Sequence, residues 1–77
     1  IEMNKDILEI EGQVGQTVSL LPFSQDTLVE YTEGLDYSLH NTVLALDYPL
    51  GISNILKEEK AVVKVGKGWI IGVLAKD

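Results

Sequence analysis

The stretch AVVKVGKGWIIGVLA, residues 61–75, decides the fold that the sequence predicts. Two runs rich in β-branched residues, 61–65 and 69–75, flank the tripeptide GKG at 66–68. Glycine takes the positive φ angles that tight turns require, and β-branched side chains fit the pleated surface of a strand. The stretch therefore predicts a β-hairpin, in which Gly72 marks a bulge or a sharp bend.

The chain upstream repeats this pattern of short strands and turns. Turn-forming residues recur at intervals of about ten residues, the spacing typical of an all-β domain. Between them lie four segments that are apolar or alternate between apolar and polar residues, namely 7–11, 17–21, 27–33 and 43–48. Within the third segment, strict alternation would direct Val29 and Tyr31 to one face and Glu30 and Thr32 to the other.

The fold class predicted from these segments is mainly β. We expect a single domain over residues 1–77, built as a small barrel or a strongly bent antiparallel sheet of five or six strands, SH3-like or Sm-like in size. One short helix is expected near residues 53–60, capped by Ser53 or Asn54. Met3 is expected to be the natural start, with residues 1–2 left over from cloning.

Length and composition indicate that the domain needs a partner. The chain has 77 residues, is 45% hydrophobic and contains no cysteine. A core of this size supplies only about 3–5 kcal/mol, and without cysteine neither disulfides nor thiolate metal sites can add to it. Small domains leave much of their surface exposed, so part of the apolar content is expected on an outer face. We therefore expect a homo-oligomer or a protein partner.

The distribution of charge bears on the class of partner. Residues 1–47 contain nine acidic residues and one lysine, whereas residues 48–77 contain five lysines and three acidic residues, giving a net charge of −6. All of the basic residues are lysine, and the arginine fork that grips phosphate in two places is missing. Nucleic acid is therefore disfavoured as a partner. The acidic half is either a solvated face or a docking face for a basic protein.

No segment of the sequence indicates a membrane or a secreted protein. The apolar runs fall short of the roughly 18–20 residues that span a bilayer. A basic region followed by an apolar one, as in a signal peptide, is also missing. We therefore expect a cytoplasmic protein with no membrane partner.

One group of residues, Asp36, Ser38 and His40, has the side-chain types of a catalytic triad. On a strand, side chains at this spacing lie about 6.5–7 Å apart in a row, which is a poor arrangement for the hydrogen bonds of a catalytic triad. One histidine in the chain also leaves too few ligands for a metal site. We expect no catalytic residue, no metal and no cofactor, and so no enzyme.

Two segments, Tyr37–Asp47 and Val63–Gly68, together resemble the two halves of an Sm-like barrel. The resemblance implies a ring-forming RNA binder, with an aspartate and an asparagine in the first half and an Arg-Gly turn in the second. In this sequence the asparagine is displaced by one position, Ser38 replaces the aspartate and Lys67 replaces the arginine.

Two functions follow as predictions. The first is a non-catalytic protein-interaction or self-assembling module, with five candidate interface residues: Tyr31, Tyr37, His40, Tyr48 and Trp69. A place in the core is the other expectation for Trp69, and the one that we favour. The alternative function is an Sm-like or SH3-like nucleic-acid-binding barrel that uses the lysine-bearing C-terminal half, with Lys64 and Lys67 as its contacts.

Overall fold

The computed structural model describes residues 2–4, 6–45 and 52–75, and these form eight β-strands and no helix. The strands are β1 (Glu2–Asn4), β2 (Ile7–Glu11), β3 (Thr17–Pro22), β4 (Thr27–Glu33), β5 (His40–Leu44), β6 (Ile52–Ile55), β7 (Lys60–Lys67) and β8 (Ile70–Leu74). The mainly β prediction is confirmed, and the bounds of β2 and β4 are those predicted. Since the described residues form no helix, they include no helical segment that could span a membrane.

The strands form two antiparallel sheets of four strands each. Sheet A has the order β1-β8-β3-β6, and sheet B has the order β2-β7-β4-β5. Each sheet has two edge strands, so the finer prediction, a single barrel or strongly bent sheet of five or six strands, SH3-like or Sm-like in size, is wrong. The hydrophobic core combines side chains from strands of both sheets, as in a sandwich.

The predicted hairpin over residues 61–75 is also wrong. Strand β7 pairs with β2 and β4, whereas β8 pairs with β1 and β3, so the GKG tripeptide carries the chain from one sheet to the other. Among the described strands, β4 and β5 are the only two that follow one another in the chain and also lie side by side in a sheet. The β-branched runs correctly predict that β7 and β8 are strands, but the glycine turn between them wrongly predicts that they pair with each other.

The helix predicted near residues 53–60 is replaced by a strand and a bend. Strand β6 pairs with β3, Leu56 forms an isolated bridge with Leu35, and β7 begins at Lys60. Asn54 and Leu56 are buried while Ser53 and Ile55 are exposed. This period of two residues is that of a strand, and it outweighs the capping signal of Ser53 and Asn54.

A β-bulge breaks the alternation predicted for β4. The register against β7 shifts between Leu28 and Val29 and again between Val29 and Tyr31. Val29 is fully buried and Thr32 is nearly so, whereas Tyr31 is exposed. An extra residue at a bulge changes the face of every side chain that follows it. Val29 and Tyr31 consequently lie on opposite faces, contrary to the prediction.

The core between the sheets consists of aliphatic side chains, and the facing strands come close at Gly72. A Cβ atom on Gly72 would lie 3.0 Å from Leu8 Cδ2 and 3.1 Å from Ile10 Cδ1. This glycine therefore permits close packing against β2, in place of the predicted bulge or bend. The core residues are Leu8, Ile10, Val18, Leu20, Val29, Leu35, Leu44, Leu56, Ala61, Val63, Val65 and Ile70.

Candidate functional site

The segment of residues 34–39, here called the β4–β5 loop, is closed at its base by two hydrogen bonds. The backbone N–H of Thr32 donates to the carbonyl of Leu39 at 3.1 Å. The N–H of Leu39 donates to the Thr32 hydroxyl oxygen at 2.9 Å. Thr32 is one of three buried polar side chains in the described residues, and its hydroxyl oxygen accepts this hydrogen bond. The loop is therefore held where it leaves the sheet.

Gly34 brings the start of the loop against β7. Its φ angle is 81°, in the left-handed region that favours glycine. A Cβ atom at this position would lie 3.0 Å from Ala61 Cα and would also meet the carbonyl oxygen of Lys60. The Gly34 carbonyl accepts a 2.8 Å hydrogen bond from the N–H of Lys57. This contact joins the loop to the bend that precedes β7.

The next two residues attach the loop to the end of β6. Leu35 is 4% exposed, belongs to the core and forms a bridge with Leu56. The N–H of Asp36 donates to the carbonyl of Ile55 at 2.9 Å. The loop thus spans from sheet B to the edge strand of sheet A.

Asn54 of β6 holds the backbone of Tyr37 from within the protein. Its side chain is 2% exposed. The Oδ1 atom accepts hydrogen bonds from the N–H of Tyr37 at 2.9 Å and from the N–H of Ile55 at 3.0 Å. The Nδ2 atom donates to the carbonyl of Tyr37 at 2.7 Å. One buried carboxamide therefore satisfies both polar groups of the Tyr37 backbone.

The side chain of Tyr37 is free while its backbone is fixed. At 69% it is the most exposed of the large apolar side chains in the described residues, and Asp36 and Ser38 beside it are exposed too. A phenol ring on a fixed backbone can stack on a planar ligand ring or face a cation. A carboxylate and a hydroxyl lie next to it in the chain. The loop is therefore a candidate binding site for a flat, cationic molecule.

The predicted interface residues that the structure describes lie in three separate places. Tyr31 and His40 are exposed cross-strand partners in sheet B. Tyr37 lies in the β4–β5 loop. Trp69 lies near the opposite end of β4 and is 40% exposed, so its expected place in the core is wrong. Tyr48 lies outside the described residues.

The predicted nucleic-acid contacts lie among opposite charges. Lys64 is half-buried and Lys67 exposed, both in β7. The third lysine of that strand, Lys60, forms an exposed ion pair of 2.7 Å with Glu9, which raises the pKa of the lysine by accepting its hydrogen bond. Together the strands of sheet B carry four glutamates against three lysines, so these lysines do not form a basic patch.

Asn54, which holds the candidate site together, is absent from the site residues that the sequence predicts. The sequence indicates Ser53 or Asn54 as a helix cap, and it places Asp36, Ser38 and His40 in a row only if their segment is a strand. Asp36 and Ser38 lie in the loop, and β5 begins at His40. The signal for Asn54 was present in the sequence, since it stands between Ile52 and Ile55 in an apolar segment. A buried polar residue at such a position must find backbone partners.

Comparison with known proteins relates the chain to one enzyme. The model of a family described as thiamin pyrophosphokinase, vitamin B1 binding domain, matches residues 5–70. A thiamine pyrophosphokinase structure from Bacillus subtilis is similar over 99% of this chain, with a TM-score of 0.79 and 28% sequence identity. One from Geobacillus thermodenitrificans is similar over 97%, with a TM-score of 0.78 and 20% identity, which shows the fold alone. No curated protein matches the sequence.

These matches correct the functional predictions. As the function of the chain, a non-catalytic interaction or self-assembling module and an Sm-like or SH3-like nucleic-acid binder are both wrong, and so is the prediction of no enzyme, since the family and the similar structures are those of an enzyme. The chain spans 37% and 36% of the two solved chains. A search for catalytic side chains does not detect a domain whose family is defined by ligand binding.

Proposed function

This chain belongs to the thiamin pyrophosphokinase vitamin B1 binding domain family, and we propose that it binds vitamin B1 as the thiamin-binding domain of a thiamin pyrophosphokinase. Transfer of the diphosphate is assigned to the whole enzyme. The share proposed for this chain is to bind the vitamin and to orient it.

The chemistry of the vitamin fits the β4–β5 loop. Thiamin has a planar aminopyrimidine and a thiazolium ring that carries a permanent positive charge. An aromatic face attracts both rings by stacking, and the charged ring also by cation–π interaction. The observation that carries the proposal is the exposed ring of Tyr37 on a backbone held by Asn54 and, through Asp36, by Ile55.

The charge around the loop favours a cationic ligand. Glu33 and Asp36 are exposed on either side of Gly34 and Leu35. The bend at residues 57–59, which contacts the loop through Gly34, contributes two further glutamates and one lysine. An excess of acidic groups raises the local concentration of a cation and speeds its association.

Calorimetric titration of the protein with thiamin tests the proposal. We expect Tyr37→Ala to weaken binding about tenfold, as loss of a stacking or cation–π contact of about 1–2 kcal/mol implies. Tyr37→Phe keeps the ring and should bind within about threefold of the natural protein, which is under 1 kcal/mol. Tyr31→Ala is the matched control, since it removes an exposed tyrosine from the face of sheet B. Equal affinity of the Tyr37→Ala and Tyr31→Ala variants would refute this site.

A second copy of the chain is the partner that we propose. Three neighbouring strands of sheet A, β8, β3 and β6, contain no charged residue. Because each copy carries a net charge of −6, two copies repel least when they meet through an uncharged face. The half-buried or exposed residues of this outer face are Thr17, Ser19, Leu21, Ser53, Ile55, Ile71 and Val73.

A further inference from the structure

We propose that Asn54 is a positioning residue for vitamin binding, acting through Tyr37; this inference rests on the function proposed above. With 2% of its surface exposed, Asn54 is out of reach of a ligand in solution. Its three hydrogen bonds end on backbone groups, two of them on Tyr37. Its effect on affinity is therefore indirect, through the place and orientation of the Tyr37 ring.

The carboxamide is the group that this position requires. The Tyr37 backbone presents one donor and one acceptor, and asparagine offers the complementary acceptor and donor. Aspartate at this position would keep the bonds to the N–H groups of Tyr37 and Ile55. It would then set a second oxygen against the Tyr37 carbonyl, where the natural protein has an N–H donor. With its carboxyl group ionised, Asn54→Asp therefore changes one bond into a repulsion at nearly constant volume.

The rest of the loop is held independently of Asn54. Its base is closed by the pair Thr32 and Leu39, and Leu35 is anchored in the core. The N–H of Asp36 is bound to Ile55. Loss of the Asn54 carboxamide therefore frees the Tyr37 backbone more than it frees the neighbouring residues. A ligand would then have to order that residue on binding, which corresponds to roughly a tenfold loss of affinity.

A double-mutant cycle separates positioning from a general loss of stability. The dissociation constant for thiamin is measured for the natural protein, Asn54→Asp, Tyr37→Ala and the double variant. We expect each single change to weaken binding about tenfold and the double variant to bind no more weakly than Tyr37→Ala, because Asn54 has no ring left to position. If the two single effects multiply, so that the dissociation constant of the double variant rises about 100-fold, Asn54 acts independently of Tyr37 and the inference is overturned.

A matched control tests whether lower stability alone weakens binding. Thr27 is also a fully buried polar residue with hydrogen bonds, but it lies at the opposite end of β4. Thr27→Val is expected to lower stability and to leave the dissociation constant unchanged. If Thr27→Val weakens binding as much as Asn54→Asp does, the positioning role is refuted.

Failure of this inference is distinguishable from failure of the proposed function. If Tyr37→Ala retains full affinity, the binding site itself is refuted. If Tyr37→Ala weakens binding and a folded Asn54→Asp does not, the positioning role alone is refuted. Hydrogen exchange on the natural protein extends the test should Asn54→Asp fail to fold. The Tyr37 amide is expected to exchange as slowly as core amides although its ring is exposed, and rapid exchange would contradict the inference.

Discussion

The carboxamide of Asn54 binds the backbone of Tyr37 on both sides, accepting from its N–H at 2.9 Å and donating to its C=O at 2.7 Å. A residue buried at the edge of sheet A thereby fixes the backbone of the residue that carries the most exposed large apolar side chain of the described residues. Rigid backbone and free ring together are what a stacking site requires, because little conformational entropy is lost when a ligand binds.

The first prediction concerns Gly34. Alanine there would adopt a φ angle of 81° and would also meet the backbone of β7, so Gly34→Ala should lower the free energy of unfolding by about 2–4 kcal/mol. Gly15 is the matched control: its φ angle is 97°, but no atom lies within 4 Å of an added Cβ. Gly15→Ala should therefore cost only about 1–2 kcal/mol. Urea titration measures both, and an equal loss would show that the β7 contact has no effect.

The second prediction concerns Asp36. Removing the exposed carboxylate of the residue that precedes Tyr37 should weaken thiamin binding about twofold to fivefold at low salt, since an exposed charge contributes less than about 1 kcal/mol. The difference should shrink at high ionic strength, where exposed charges are screened. Calorimetry of Asp36→Asn at two salt concentrations measures it. Asp26→Asn, at the other end of β4, is the control, and an equal effect there would mean that only net charge matters.

The third prediction concerns the uncharged outer face of sheet A. Sedimentation equilibrium should detect a dimer of the 8.5 kDa chain that strengthens with salt, because salt screens the repulsion between two acidic copies. Ser19→Glu places a charge in the middle of this face and should raise the dissociation constant at least about tenfold. Val43→Glu adds the same charge to an exposed position of β5 and should leave the dimer intact. A chain that stays monomeric at every concentration would refute the partner proposal.

The elements of the fold could be predicted from the sequence, but their pairing could not. Alternating and β-branched runs identified β2, β4, β7 and β8 because the period of a strand is a local property. Which strands become neighbours depends on contacts between distant residues. The GKG tripeptide looked like a hairpin turn, yet Val63 of β7 lies opposite Leu8 and Thr32, far away in sequence. Local patterns contain no information about such partners.

Part of the candidate site could be predicted from the sequence. Tyr37 was named as an interface residue because exposed aromatic residues are often binding residues. Asn54 was mistaken for a helix cap, since the same hydrogen-bonding ability serves caps, turns and buried clamps. The bulge that turns Tyr31 outward had no signal in the sequence of β4. The family could not be inferred, because the stacking site proposed for it needs no catalytic motif.

Titration of the isotopically labelled protein with thiamin, followed by two-dimensional NMR of the backbone amides, tests the central claim most directly. The method detects weak binding and locates it in one measurement. We predict that the largest shift changes fall on residues 35–39 and 53–55, with small changes at Tyr31, Lys64 and Trp69. Shifts confined to the face of sheet B or to the Trp69 end, or no shifts at millimolar thiamin, would contradict the assignment of the β4–β5 loop as the vitamin site.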